Sequence, residues 1–148
     1  MNQRQTRAKH IKTNASKKLR NNLRILTIVY VILFIVTLYN VIVSQAIFWQ
    51  VLTAIVIGLV AGVISSRMYK ISWSKDEAKV IGKIDIYGAV VLVLFIIFEL
   101  NRTRIAEIFA SGDAIGSIGL VLITSALFGR ILGTSKQIIR VLEEEKVI

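Results

Sequence analysis

The chain has 148 residues, of which 55% are hydrophobic, and its mean hydropathy is +0.68. This value is too high for a soluble domain of this length and indicates segments that face lipid. The sequence contains no cysteine and no proline, which excludes disulfides, thiolate metal sites, cysteine nucleophiles and proline-hinged helices. The formal net charge is +10, and the basic residues are unevenly distributed along the chain.

The chain begins with a basic tail, residues 1–24, that contains no acidic residue. Because no aromatic residue is interleaved with the charges, nucleic-acid bases would find no stacking platform there. A nucleic-acid-binding arm is therefore the weaker alternative, and we predict that the tail binds anionic lipid headgroups. Its basic residues are Arg4, Arg7, Lys9, Lys12, Lys17, Lys18, Arg20 and Arg24.

Four apolar runs are long enough to cross a bilayer as helices: residues 25–43, 46–66, 84–100 and 114–133. The first run is longer than the apolar core of an ordinary signal peptide, and a second span follows at once, so we interpret it as an uncleaved anchor. The very short turn at residues 44–45 makes the first two spans antiparallel neighbours. The predicted fold class is all-α: a polytopic membrane protein with four transmembrane helices and short amphipathic interfacial helices.

Small residues recur at every fourth position in the second and fourth spans. They are Ala54, Gly58, Gly62 and Ser66 in the second span, and Ser125, Gly129 and Gly133 in the fourth. This spacing places them on one face of each helix, where they allow two backbones to approach closely within lipid. We predict that the second span packs against the fourth, although glycine is also common in membrane helices in general.

The polar segment between the second and third spans, residues 67–83, contains two conflicting patterns. Apolar and polar side chains alternate from Tyr69 to Ser74, which is typical of a strand. Ser74 and Glu77 fit a capping box, which predicts a helix that begins there and continues into the third span. Trp73 is interpreted either as a headgroup-level side chain or as part of a docking surface for a partner.

Two amphipathic segments flank the fourth span. Ile105, Ile108 and Phe109 have the i, i+3, i+4 spacing of a short surface helix. Gly133 is suited to the C-terminal end of the fourth span. Residues 134–148 then predict an amphipathic cytoplasmic helix that lies on the membrane or on a partner.

The basic residues also predict the orientation of the spans. Of the 19 Lys and Arg residues, all but Arg102 and Arg104 flank the same ends of the four predicted spans. The positive-inside rule therefore predicts that both termini are cytoplasmic.

Charged residues at membrane depth are candidates for function because they are costly to place in lipid. Asp85 and Arg130 lie at the same level on antiparallel spans and could form an ion pair, although Arg130 could equally reach lipid phosphate. Glu99 lies at the opposite level with Arg102, and also with Asn40 and Gln45. Glu99 and Arg102 form either a simple interfacial pair or part of a proton- or cation-coupled transport site.

Signals of catalysis are absent from the sequence. The single histidine, His10, lies far in sequence from any carboxylate, and no metal-ligand spacing, nucleophile elbow or phosphate-binding loop is present. We therefore predict no enzymatic activity, no cofactor and no metal.

The leading hypothesis is a non-catalytic subunit or adaptor that acts through helix packing and its cytoplasmic tails, with a membrane protein or a second copy as partner. The alternatives are a small oligomeric transporter or channel that uses Glu99 and, with less support, an enzyme acting on lipid.

Residues 56–133 combine a basic flank, the polar segment SRMYKISWSKDEAKVIGKIDIYG and two further spans. In this layout the chain resembles small bacterial membrane proteins of the CcdC-like group. The resemblance implies a small integral protein of a bacterial cytoplasmic membrane. It implies no activity and no site residues, because the biochemical role of that group is uncertain.

Overall fold

The computed structural model describes residues 15–44 and 46–144. Of these, 78% are helical. The helices are α1 (Lys17–Ser44), α2 (Phe48–Ser66), α3 (Ile86–Glu107) and α4 (Ala114–Glu144). Between α2 and α3 lies an antiparallel hairpin of strands β1 (Lys70–Ser74) and β2 (Lys79–Lys83), in which Ser72 is opposite Ile81.

All four helices are long and apolar enough to cross a membrane. Helices α1 and α3 leave most of their apolar side chains exposed, including Ile35 at 63% and Leu100 at 78%. Such exposure would be unfavourable in water and is ordinary where lipid covers the side chains. The described part of the chain is therefore mostly helical and contains four helices that could span a membrane, as the apolar runs predicted.

Helix α4 is the central helix of the bundle. It packs most extensively against α2 and also contacts α1 and α3. Ile118 and Leu122 of α4 are fully buried in one cluster with Ala54 of α2 and Ala106 of α3. The other three helices are thus arranged around α4.

Two predicted helix ends are wrong. Helix α4 continues through Gly133 to Glu144, so no separate helix begins at residue 134. Gly133 does not adopt the positive φ of a C-terminal glycine and instead lies against Ser66 of α2, and this contact favours continuous helical geometry. Helix α3 likewise continues to Glu107, so Ile105 belongs to it and not to a separate surface helix.

The predicted helix start at Ser74 is also wrong, whereas the alternation before it is confirmed as strand β1. The Glu77 N–H does donate to Ser74 Oγ, at 3.4 Å, but this bond lies in the hairpin turn. Ala78 closes that turn with a φ of 47°. Pairing with β2 satisfies the strand backbone, and α3 begins only at Ile86.

Three segments that are distant in sequence assemble at one end of the bundle. The backbone N–H of Ser16 donates to the carbonyl oxygen of Val80 at 2.9 Å, which attaches the start of α1 to the hairpin. The buried cluster at this end consists of Ala15, Leu19, Val80, Ile138 and Leu142. We call this unit the basic cap and define it as residues 15–24, 67–83 and 134–144.

The basic cap changes two interpretations of the sequence. Ile138 and Leu142 are both 0% exposed, so the apolar face of the last helical segment is covered by the chain itself and not by the membrane or a partner. Trp73 is partly buried and packs against the same cluster. Trp73 therefore contributes to the core of the cap.

Candidate functional site

The small-residue faces of α2 and α4 lie directly against each other. A Cβ atom built on Gly62 would lie 2.7 Å from the carbonyl carbon of Ala126, and one built on Gly58 would collide with Ser125. The Ser125 hydroxyl group lies 2.6 Å from the carbonyl oxygen of Val121 in its own helix and 3.4 Å from the carbonyl oxygen of Ala54 in α2. These contacts require the absence of side chains at both glycines.

The glycines of α4 likewise leave no room for a side chain at this contact. A Cβ atom on Gly129 would lie 2.5 Å from the carbonyl oxygen of Leu59, and one on Gly133 would lie 2.5 Å from Cβ of Ser66. Gln137 Nε2 also donates to Ser66 Oγ at 3.2 Å. All seven residues selected for helix packing thus lie at a contact within one chain.

Asp85 and Arg130 do not form the ion pair considered from the sequence. Asp85 is the N-cap of α3, where its Oδ1 accepts a hydrogen bond from the Gly88 N–H at 2.7 Å. The guanidinium carbon of Arg130 instead lies 6.0 Å from the centre of the Phe95 ring. The cap satisfies a free backbone N–H locally, without bringing two helices together.

Substitution of Asp85 distinguishes these two arrangements. We expect Asp85→Ala to lower the free energy of unfolding by about 1 kcal/mol, because the N-cap is lost. Asp85→Asn should leave stability nearly unchanged, because asparagine is an equally good N-cap but carries no charge. Thermal unfolding in mild detergent measures both. Equal losses in the two variants would instead indicate an ion pair.

Glu99 and Arg102 form an ion pair on α3, with 3.8 Å between Oε2 and Nη1. They lie towards the end of α3 that is remote from the basic cap, and their side chains are 26% and 39% exposed. The Asn40 side chain donates to the carbonyl oxygen of Val36 in its own helix. Gln45 lies outside the described residues. Among the described residues, Arg102 is the ionic partner that the structure shows for Glu99.

Only half of the basic residues that were predicted to bind lipid lie within the described part of the chain. Arg4, Arg7, Lys9 and Lys12 lie outside the described residues. Lys17, Lys18, Arg20 and Arg24 are exposed on the first turns of α1. Elsewhere on the basic cap the exposed basic residues are Arg67, Lys70, Lys75, Lys79, Lys83, Lys136 and Arg140. The exposed acidic residues there are Asp76, Glu77, Glu143 and Glu144, so this surface is strongly positive.

A cleft of about 270 Å³ opens beside α1 and α4 where the bundle meets the basic cap. Its polar lining comes from Asn22, Tyr69, Arg130 and Thr134. Sequence reasoning selected Arg130 but missed the other three, which lie on three separate segments of the chain. Only a prediction of how those segments meet could have identified them.

A second cleft, of about 250 Å³, lies between α1, α2 and α4. Thr37 and Thr124 hydrogen bond to each other through their hydroxyl groups at 2.7 Å, and both line this cleft. The remaining lining is almost entirely apolar. Among residues 15–44 and 46–144, no three His, Cys, Asp or Glu side chains lie close enough together to hold a metal ion.

No protein-family model matches the chain, and no curated protein or solved structure shows significant similarity to it. The resemblance to the CcdC-like group therefore stays a prediction.

Proposed function

We propose that this protein is a non-catalytic subunit or adaptor of a bacterial cytoplasmic membrane, which presents the basic cap to an acidic protein partner. The observation that carries the proposal is the assembly of the cap from three distant segments around its own buried cluster. A folded surface keeps its charges in fixed positions, and a partner can recognise such an arrangement more specifically than a free tail.

The contact between α2 and α4 is a second reason to assign partner binding to the cap. Gly62 and Gly129 are already in backbone contact within the chain, so the small-residue faces are occupied. The partner-binding surface is therefore assigned to the cap and not to these faces. At the opposite end, Glu99 is paired with Arg102, which favours an adaptor over a transporter that works through this carboxylate.

The distribution of charge supports a cytoplasmic position for the cap. Of the 19 Lys and Arg residues, only Arg102 and Arg104 belong to the loop between α3 and α4 or its flank. The positive-inside rule assigns the more basic side to the cytoplasm. Anionic lipids of the facing leaflet would hold the exposed lysines near the membrane surface, where a membrane-bound partner can reach them.

Intact-mass measurement of the full chain tests this proposal. The tagged protein is extracted from its native membrane in mild detergent at low salt, and the mass of the whole assembly is measured. We expect a second protein at a fixed ratio. The substitution Lys79→Glu changes an exposed residue of the hairpin. It should weaken retention of this second protein about tenfold, because a negative charge then faces the acidic partner. Raised salt should weaken retention in the same way.

Arg104→Glu is the matched control, because Arg104 is also exposed but lies at the other end of the bundle. This variant should retain the partner as well as the unchanged protein does. A homo-oligomer without any companion would contradict the adaptor proposal. Transport assays comparing Glu99→Gln with the unchanged protein would then be the next step.

A further inference from the structure

We propose that the cleft beside α1 and α4 is a binding site for one anionic phospholipid, whose phosphate lies beside Arg130. The cleft lies where the apolar part of α1 begins, at the boundary between the bundle and the basic cap. This site differs from the wider cleft lined by Lys17, Lys18 and Lys83, because it combines Arg130 with an apolar extension along α1. The cleft combines a cation that has no ion-pair partner among the described residues, three neutral polar side chains and an apolar extension.

Arg130 is partly buried, and no carboxylate of residues 15–44 or 46–144 lies within ion-pairing distance of it. Its guanidinium carbon lies 6.0 Å from the centre of the Phe95 ring of α3, and this ring supplies no anion to pair with the charge. A cation that is partly removed from water and has no anion beside it is in an unfavourable environment. A phosphate group would offset this cost, because guanidinium binds phosphate through two parallel hydrogen bonds.

The neutral polar residues of the cleft are also suited to a phosphate ester. Asn22, Tyr69 and Thr134 each carry a side-chain hydrogen-bond donor, and they come from α1, the segment before β1, and α4. None of the residues that line the cleft is acidic, so no lining charge would repel an anion. The cleft is therefore complementary in charge to a phosphodiester headgroup.

The remaining lining explains why a lipid fits better than a free anion. Leu26 and Val29 line the cleft and continue along α1 from the polar residues towards the membrane interior. An acyl chain can lie along these side chains while the phosphate stays at headgroup level. Anionic phospholipids combine both chemistries in one molecule, and basic pockets between spans are known to favour them.

Lipid retention by the full chain in mild detergent tests the site. Phosphatidylglycerol and phosphatidylcholine with identical acyl chains are added in parallel, and bound lipid is counted by native mass spectrometry. We expect one tightly held phosphatidylglycerol per chain and much weaker retention of phosphatidylcholine. Arg130→Gln should reduce phosphatidylglycerol retention about tenfold, because a factor of this order corresponds to the free energy of one charge-assisted hydrogen bond. Arg130→Lys should retain an intermediate amount because its charge remains.

Lys136→Gln is the matched control, since it removes one exposed positive charge from the same helix outside the cleft. It should leave retention unchanged. Val29→Phe fills the apolar part of the cleft without altering charge and should also displace the lipid. Unchanged retention in both Arg130→Gln and Val29→Phe would overturn the proposal, as would an equal loss in Lys136→Gln. Displacement of the lipid by millimolar inorganic phosphate would overturn it in favour of a free-phosphate site.

Discussion

Replacing Gly62 by alanine is expected to destabilise the protein by about 2–3 kcal/mol, at the upper end of the usual cost of overpacking. The new Cβ atom would lie 2.7 Å from the carbonyl carbon and 2.9 Å from the Cα atom of Ala126. Both are backbone atoms, so no side-chain rotation can relieve the contact. Helix α4 would have to move away from α2 and lose the close packing that small residues permit.

Gly116→Ala is the matched control for this prediction. It makes the same chemical change in α4, but its Cβ atom would meet nothing within 4 Å. We expect no loss of stability. Any gain in stability from the higher helix propensity of alanine does not exceed about 1 kcal/mol. Thermal unfolding of both variants in mild detergent gives the comparison. Similar unfolding temperatures for Gly62→Ala and Gly116→Ala would show that the α2–α4 contact tolerates an added methyl group.

Replacing Leu142 by alanine is expected to cost about 2–5 kcal/mol through the cavity left in the cluster of the basic cap. Leu142 is 0% exposed and packs with Val80 and Ile138. Because this cluster is separate from the buried cluster of the bundle, the effect should be confined to the cap. Limited trypsin digestion should then cut at Lys75 and Lys79 sooner than in the unchanged protein.

Leu132→Ala supplies the control for cap unfolding. Leu132 lies on the same helix but is 41% exposed, outside both buried clusters. Its truncation should leave the rate of tryptic cleavage unchanged, and far-ultraviolet circular dichroism should show intact helices in both variants. Equal cleavage rates for the Leu142 and Leu132 variants would mean that the cap does not depend on this cluster.

The segment from Ser74 to Glu77 illustrates where a local pattern misleads. The capping-box residues do form one of the expected hydrogen bonds, yet they lie in a turn. The outcome depends on Val80, which is fully buried against Ile138 and Leu142 of the distant α4. Burial of apolar side chains in this cluster and the pairing of β1 with β2 outweigh the weak local preference for a helix.

At Asp85, by contrast, a local interaction replaces the long-range contact that was considered. Sequence reasoning considered a long-range partner for this residue, whereas the structure assigns it a local role as the N-cap of α3. The level of a charge in the membrane can be estimated from its position in a span. The direction of its side chain, and the nearest donor, depend on where the helix begins.

The four apolar helices, the two small-residue faces and the basic character of one end could be predicted from the amino-acid sequence alone. These features depend on composition and on a period of about four residues, which act within a single helix regardless of its neighbours. The basic cap and the Arg130 cleft could not be predicted in this way. Both are formed by segments far apart in the chain, whose meeting depends on how α1 and α4 pack and on which side chains they bury together.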